Sequence, residues 1–164
     1  MHGDDSVGLL VAGKLRDLLA TRPVDGVVVR LVERAGFDLI DVLADADNIV
    51  IVDCLDLPSP TPGRVRVLAP ADAKDSARLP GEHDIGLGVA LDLGRLLGIR
   101  MPETVAVVGI EGGDTTVSGE DLTPAVARTA ANVAAWLHMG LRLGLRHTLA
   151  TYVERQWASA SALP

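Results

Sequence analysis

Aromatic side chains are nearly absent: two Trp, one Tyr and one Phe supply 2% of the 164 residues. The core must therefore be built from Leu, Val, Ile and Ala, which fits an apolar content of 48% and a layered α/β protein. Cysteine is reduced to Cys54, which excludes an internal disulfide and fits a reducing cytoplasm. Positive charge is scarce, with 15 Lys and Arg against 22 Asp and Glu for a net charge of -7. That excludes a nucleic-acid partner, because phosphate binding needs a basic face. No apolar run approaches the roughly 20 residues of a membrane span. The opening MHGDDSVG carries acids where a signal peptide carries a basic region. A cytoplasmic protein without a membrane partner is expected. Two further motifs are missing. GIEGGD (Gly109 to Asp114) is neither GxGxxG nor followed by Lys-Ser/Thr, and no Ser or Cys stands in a nucleophile elbow.

What is present is an alternation of helix and strand over a length that suits one domain with a sizeable core. Val7, Leu10, Val11, Leu15, Leu18 and Leu19 recur at helical spacing and predict a helix from Asp5 to Ala20. Val27 to Val32 is short and β-branched and reads as a strand. Gly36 to Ala46 sets Phe37, Ile40 and Leu43 against Asp38, Asp41 and Asp45, an amphipathic helix. NIVIVDC (Asn48 to Cys54) is a continuous apolar run ending in a carboxylate, the mark of a parallel strand covered on both faces. Arg64 to Leu68 alternates polar and apolar, as an edge strand or hairpin arm does. A loop follows from Ala69 to Glu82, then a helix from Gly86 to Gly98 and a second buried strand from Thr104 to Ile110. Glu111 to Asp121 is a glycine-rich loop. Thr123 caps a helix with Pro124 in its first turn, running to His138. Beyond Gly140 a basic helical stretch with Arg142 and Arg146 leads to a frayed ASASALP tail. The expected architecture is a single three-layer α/β domain over residues 1–140, a mostly parallel twisted sheet with helices on both faces. Residues 141–164 form a helical extension and flexible tail.

In open α/β sheets, sites lie outside the carboxyl ends of the strands. Asp53 ends the most apolar strand; otherwise it caps the turn that follows. His83, in PGEHDIGLG, stands just before a helix; a lone loop histidine is more often solvated. Asp4 and Asp5 open the first helix, where the bland role of an acid is to complement the helix dipole, worth about 0.3–1 kcal/mol. His2, His138 and His147 are weaker ligand candidates. Cys54 alternates to the face opposite Asp53 and reads as a small buried hydrophobe. Two carboxylates and one imidazole, Asp5, Asp53 and His83, suit a borderline divalent ion such as nickel or zinc. Three protein ligands leave a position open for something else.

The order GDDSVG, IVDC, PGRV, EHDIGLG, VVGIEG, GEDLTPAV, spanning Gly3 to Ala135, resembles the hydrogenase maturation proteases. These endopeptidases trim the C-terminal extension of the nickel-iron hydrogenase large subunit. The resemblance implies a twisted sheet between helices and a cleft in which an acid before the first helix, an Asp at a strand end and a His in a later loop bind metal. The matching positions are Asp5, Asp53 and His83, which become the catalytic and metal-site residues. Asp4 becomes a cap or a support for its neighbour. The resemblance also implies that the nickel is supplied by the substrate, with zinc or cadmium able to stand in for it. The partner is the large-subunit precursor, and the enzyme is expected to be a monomer. The alternative is a relative that docks on the precursor without cutting it. A nucleotide- or flavin-binding domain would need the phosphate loop that is missing. The chain departs from the family pattern in three places. It lacks the usual first strand and its Gly-x-Gly-Asn turn. Ser6 follows the acidic pair where Gly is frequent. Glu33-Arg34-Ala35-Gly36 replaces a glycine-rich turn.

Overall fold

The computed structural model describes residues 3–32, 37–75, 86–113 and 122–162. Its described strands are β1 (Asn48–Leu55), β2 (Val65–Leu68) and β3 (Thr104–Glu111), in the order β1-β3-β2. β1 and β3 run parallel, with Asn48 opposite Thr104 and Asp53 opposite Gly109. β2 is antiparallel to β3, with Val65 opposite Ile110. The helices are α1 (Val7–Thr21), α2 (Asp38–Leu43), α3 (Leu87–Leu96), α4 (Pro124–Arg142) and α5 (Leu149–Ser161). A 3-10 turn, Gly3–Ser6, leads into α1.

Side chains alternate across a strand, so the two continuous apolar strands each supply two faces. Val50, Val52 and Cys54 of β1, with Ala106, Val108 and Ile110 of β3, pack into one cluster with α1, α4 and α5. Ile49 and Ile51, with Val105 and Val107, pack into a second cluster under α2 and α3. The result is helix, sheet, helix, as expected. The sheet itself is mixed, because the edge strand expected at Arg64–Leu68 runs antiparallel.

The entry to β2 explains itself. Gly63 N–H donates to Glu111 O (2.8 Å) and Glu111 N–H donates to Arg64 O (2.8 Å), so two residues oppose one. Gly63 has φ +84°, and a Cβ there would crowd Ala125 O at 3.0 Å. This is a G1 bulge, in which glycine takes the left-handed position. Gly98 (φ +74°) closes α3 in the same region, with Ile99 N–H bonded to Gly94 O.

Three expectations need correction. Val27 to Val32 belongs to no strand. Val27 and Val29 do pack against the α1–α4 cluster while Val28 is 77% exposed. The β-branched alternation is thus satisfied by burial without a ladder partner. The helix expected over Gly36 to Ala46 is shorter, Asp38–Leu43, and ends at Ala44, which is extended. The C-terminal region is more ordered than a frayed tail. α4 runs past His138 to Arg142, and Gly140 lies against Leu149 and Tyr152 of α5. Leu149, Ala150 and Val153 join the main cluster, and the helix extends through the ASAS segment to Ser161.

Candidate active site

Asp53 shares the face of Ile49 and Ile51 and stands at the carboxyl end of β1, where the sheet opens. It is only 6% exposed, and its Oδ1 accepts the N–H of Cys54 at 2.9 Å. The registers place Asp53, Gly109 and Arg66 in one row across the three strands. Two strand spacings separate the ends of that row by about 10 Å.

The acidic pair is brought to the same end by α1. Gly8, in its first turn, lies directly on β1: a Cβ there would overlap Val52 O and come within 3.5 Å of Asp53 Cα. The turn carrying Asp4 and Asp5 is therefore locked beside the end of β1. The two acids then divide. Asp4 is 5% exposed and accepts three hydrogen bonds, from Gly113 N (2.7 Å), Thr123 N (2.7 Å) and Thr123 Oγ1 (3.1 Å). It fastens the N-terminal turn to the exit of β3 and the start of α4, and does not cap its own helix. Thr123 serves both ends: its hydroxyl donates to Asp4 and accepts from Val126 N at 3.5 Å, capping α4 as expected. Asp5 is half-buried in the same turn.

Cys54 is fully buried. Burial first, then the charges of Asp5, Asp53, Asp4 and Asp56, push its thiol up from 9.0 to about 12. It is therefore an inert, neutral thiol.

Glu111, at the end of β3, is a further buried carboxylate that sequence reading left inside a glycine-rich loop. It is 1% exposed. Its Oε1 accepts from Arg66 Nε at 2.5 Å, with Arg64 Nε at 3.8 Å, and its Oε2 accepts from Thr61 N at 2.6 Å. It ties the proline-rich turn to the sheet beside the Asp53 row. Its signal in the sequence is the one that marked Asp53, an acid closing an apolar strand.

His83 lies outside the described residues, as do the turn 33–36 and residues 114–121 of the glycine-rich loop. Among the described residues, no three His, Cys, Asp or Glu side chains are grouped to hold a metal ion. His138 is 6% exposed with Nε2 3.0 Å from Arg22 O, joining α4 to the end of α1. No described helix is long and apolar enough to cross a membrane.

The fold is similar to that of the hydrogenase maturating endopeptidase HybD from E. coli, at 22% identity over 88% of this chain and 87% of that one, with a TM-score of 0.66. The endopeptidase HycI from Escherichia coli aligns at 23% identity over 85% and 84%, with a TM-score of 0.62. A [NiFe] hydrogenase maturation protease HycI from Thermococcus kodakarensis aligns at 19% over 86% and 85%, with a TM-score of 0.58. At these identities the likeness concerns the fold. No curated protein matches the chain. The family model HycI, hydrogenase maturation protease, matches residues 30–137, well over half of the chain, from before α2 to near the end of α4. All three described strands fall within that match, and by it the chain belongs to the hydrogenase maturation proteases, a family of endopeptidases.

Proposed function

We propose that this chain removes the C-terminal extension of a nickel-iron hydrogenase large-subunit precursor once nickel has been inserted, in the cytoplasm and as a monomer. Asp5, Asp53 and His83 read the nickel that the substrate already carries. The observation carrying this reading is the position of Asp53: buried at the carboxyl end of β1, with the Asp4–Asp5 turn packed against it through Gly8. His83 precedes α3 by four residues, and α3 covers the sheet face that Asp53 shares. Two carboxylate oxygens and one imidazole nitrogen suit nickel, and three ligands leave room for those of the substrate. The metal is therefore cargo of the substrate, and cleavage waits on its insertion. Within the protease, Asp4 holds the turn, Asp5 and Asp53 present carboxylates at the strand end, and Glu111 with Arg66 fixes the neighbouring wall.

The test is incubation of the chain with nickel-loaded and nickel-free precursor, reading the precursor mass. Trimming of the loaded form alone is expected, with loss in Asp53→Ala and His83→Ala variants whose circular dichroism is unchanged. Wild-type trimming by Asp53→Ala would sink the reading. Co-purification with a precursor that is never trimmed would make the chain a docking factor instead.

A further inference from the structure

β2 has a partner on one side only: among the described residues it pairs with β3 and nothing else. The bulge sets which backbone groups face outward. Arg64 O accepts the Glu111 N–H, and narrow and wide pairs alternate along an antiparallel ladder. Arg66 and Leu68 therefore bond to β3, while the N–H and C=O of Val65 and Val67 point away from it. A groove of about 510 Å³ runs along this side. It is lined by every residue from Arg64 to Leu68, and residues of both parities can line one groove only along a strand's edge. Glu154, Arg155, Trp157 and Ala158 of α5 form the other wall. Its volume suits a short peptide.

The charge of the groove runs against that of the chain. Arg64, Arg66 and Arg155 line it, opposed by Glu154 in the wall and Glu111 beneath, in a chain of net charge -7. Arg64 and Arg66 remain 46% and 43% exposed although both face Glu111. Arg66, midway along the strand wall of the groove, lies in the Asp53–Gly109–Arg66 row, about 10 Å from Asp53.

From this geometry we infer that the groove between the free edge of β2 and α5 takes an extended acidic segment of a partner polypeptide, which adds to the sheet as a fourth strand and is aligned toward Asp53. Main-chain bonds to half-buried Val67 supply the pairing, Val65 being only 3% exposed, and the arginines select acidic side chains. The identity of that segment as part of the substrate rests on the proposed function; the binding itself does not.

The experiment titrates the full chain into a fluorescein-labelled octapeptide of alternating Val and Glu and reads anisotropy. Saturable binding is expected, at least tenfold weaker for alternating Val and Lys and about tenfold weaker in Arg155→Glu, an exposed position on α5. Peptides N-methylated at all Val or at all Glu positions separate edge pairing from charge attraction: one should bind and the other should not. No binding at about 1 mM peptide, equal binding of the Lys peptide, or indifference to both N-methylations overturns the inference. So does a dimer in analytical ultracentrifugation that Arg155→Glu dissociates, which would give the edge to a second copy. Asp53→Ala should bind the peptide unchanged. In precursor trimming, Arg155→Glu should raise KM and leave kcat. Peptide binding without any trimming would remove the functional reading and keep the groove, and trimming without peptide binding would do the reverse.

Discussion

Replacing Asp4 by Ala should damage the fold, because its carboxylate fastens the N-terminal turn to the start of α4. The Asp4 carboxylate accepts three hydrogen bonds from residues more than 100 positions away, two of them at 2.7 Å. Hydrogen bonds to a charged group contribute about 1.5–3 kcal/mol each, and a buried donor left unpaired costs about 1–3 kcal/mol. The three bonds share one charge, and water can reach half-buried Gly113, so the loss should total about 3–4 kcal/mol. That is a large part of the ~5–15 kcal/mol by which a domain is stable. With a urea slope of about 2 kcal/mol/M, the midpoint should fall by about 1.5–2 M. The assay is urea unfolding followed by the fluorescence of Trp136 and Trp157, both packed against the main cluster. Asp4→Asn, which keeps an acceptor oxygen but not the charge, should fall between wild type and Asp4→Ala. A midpoint for Asp4→Ala within about 0.5 M of wild type would refute the fastening role of Asp4.

Three other outcomes follow from the packing. Gly8→Ala should destabilise by about 1–3 kcal/mol, since its Cβ would overlap the Val52 carbonyl, while Gly13→Ala, with nothing within 4 Å, should stabilise α1 by about 0.5–1 kcal/mol. Thermal melting of the two variants in opposite directions is the check. Cys54 should resist a thiol reagent at pH 8 until the chain unfolds, and labelling at the rate of a free thiol would contradict its burial. Its folded pKa is raised, so the stability linked to the neutral thiol is complete below pH 9.0 and is lost as pH climbs toward about 12. In the metal-free chain, Cys54→Ala should flatten that alkaline decline.

The local elements were legible because they depend on near neighbours. The periods of α1 and α3, the cap at Thr123 with Pro124, and the two apolar runs of β1 and β3 are properties of adjacent residues, and each appears where expected within a few positions. The helix–sheet–helix layering followed from strands apolar on both faces, and Asp53 was marked by ending such a run. Three matters needed the folded chain. Whether Val27 to Val32 pairs depends on a neighbouring strand that sequence pattern does not supply; only its in–out alternation survived. Asp4 and Asp5 are chemically identical and adjacent, and only Gly113 and Thr123, brought in by the closure of β3 onto α4, made Asp4 the clasp. The role of Glu111 likewise waited on Arg66 and the bulge at Gly63. Composition and periodicity determine which segments bury and which face of each is apolar, because those follow from transfer of side chains out of water. Which polar groups meet is decided by the tertiary structure, because a buried carboxylate must find its donors wherever the chain returns.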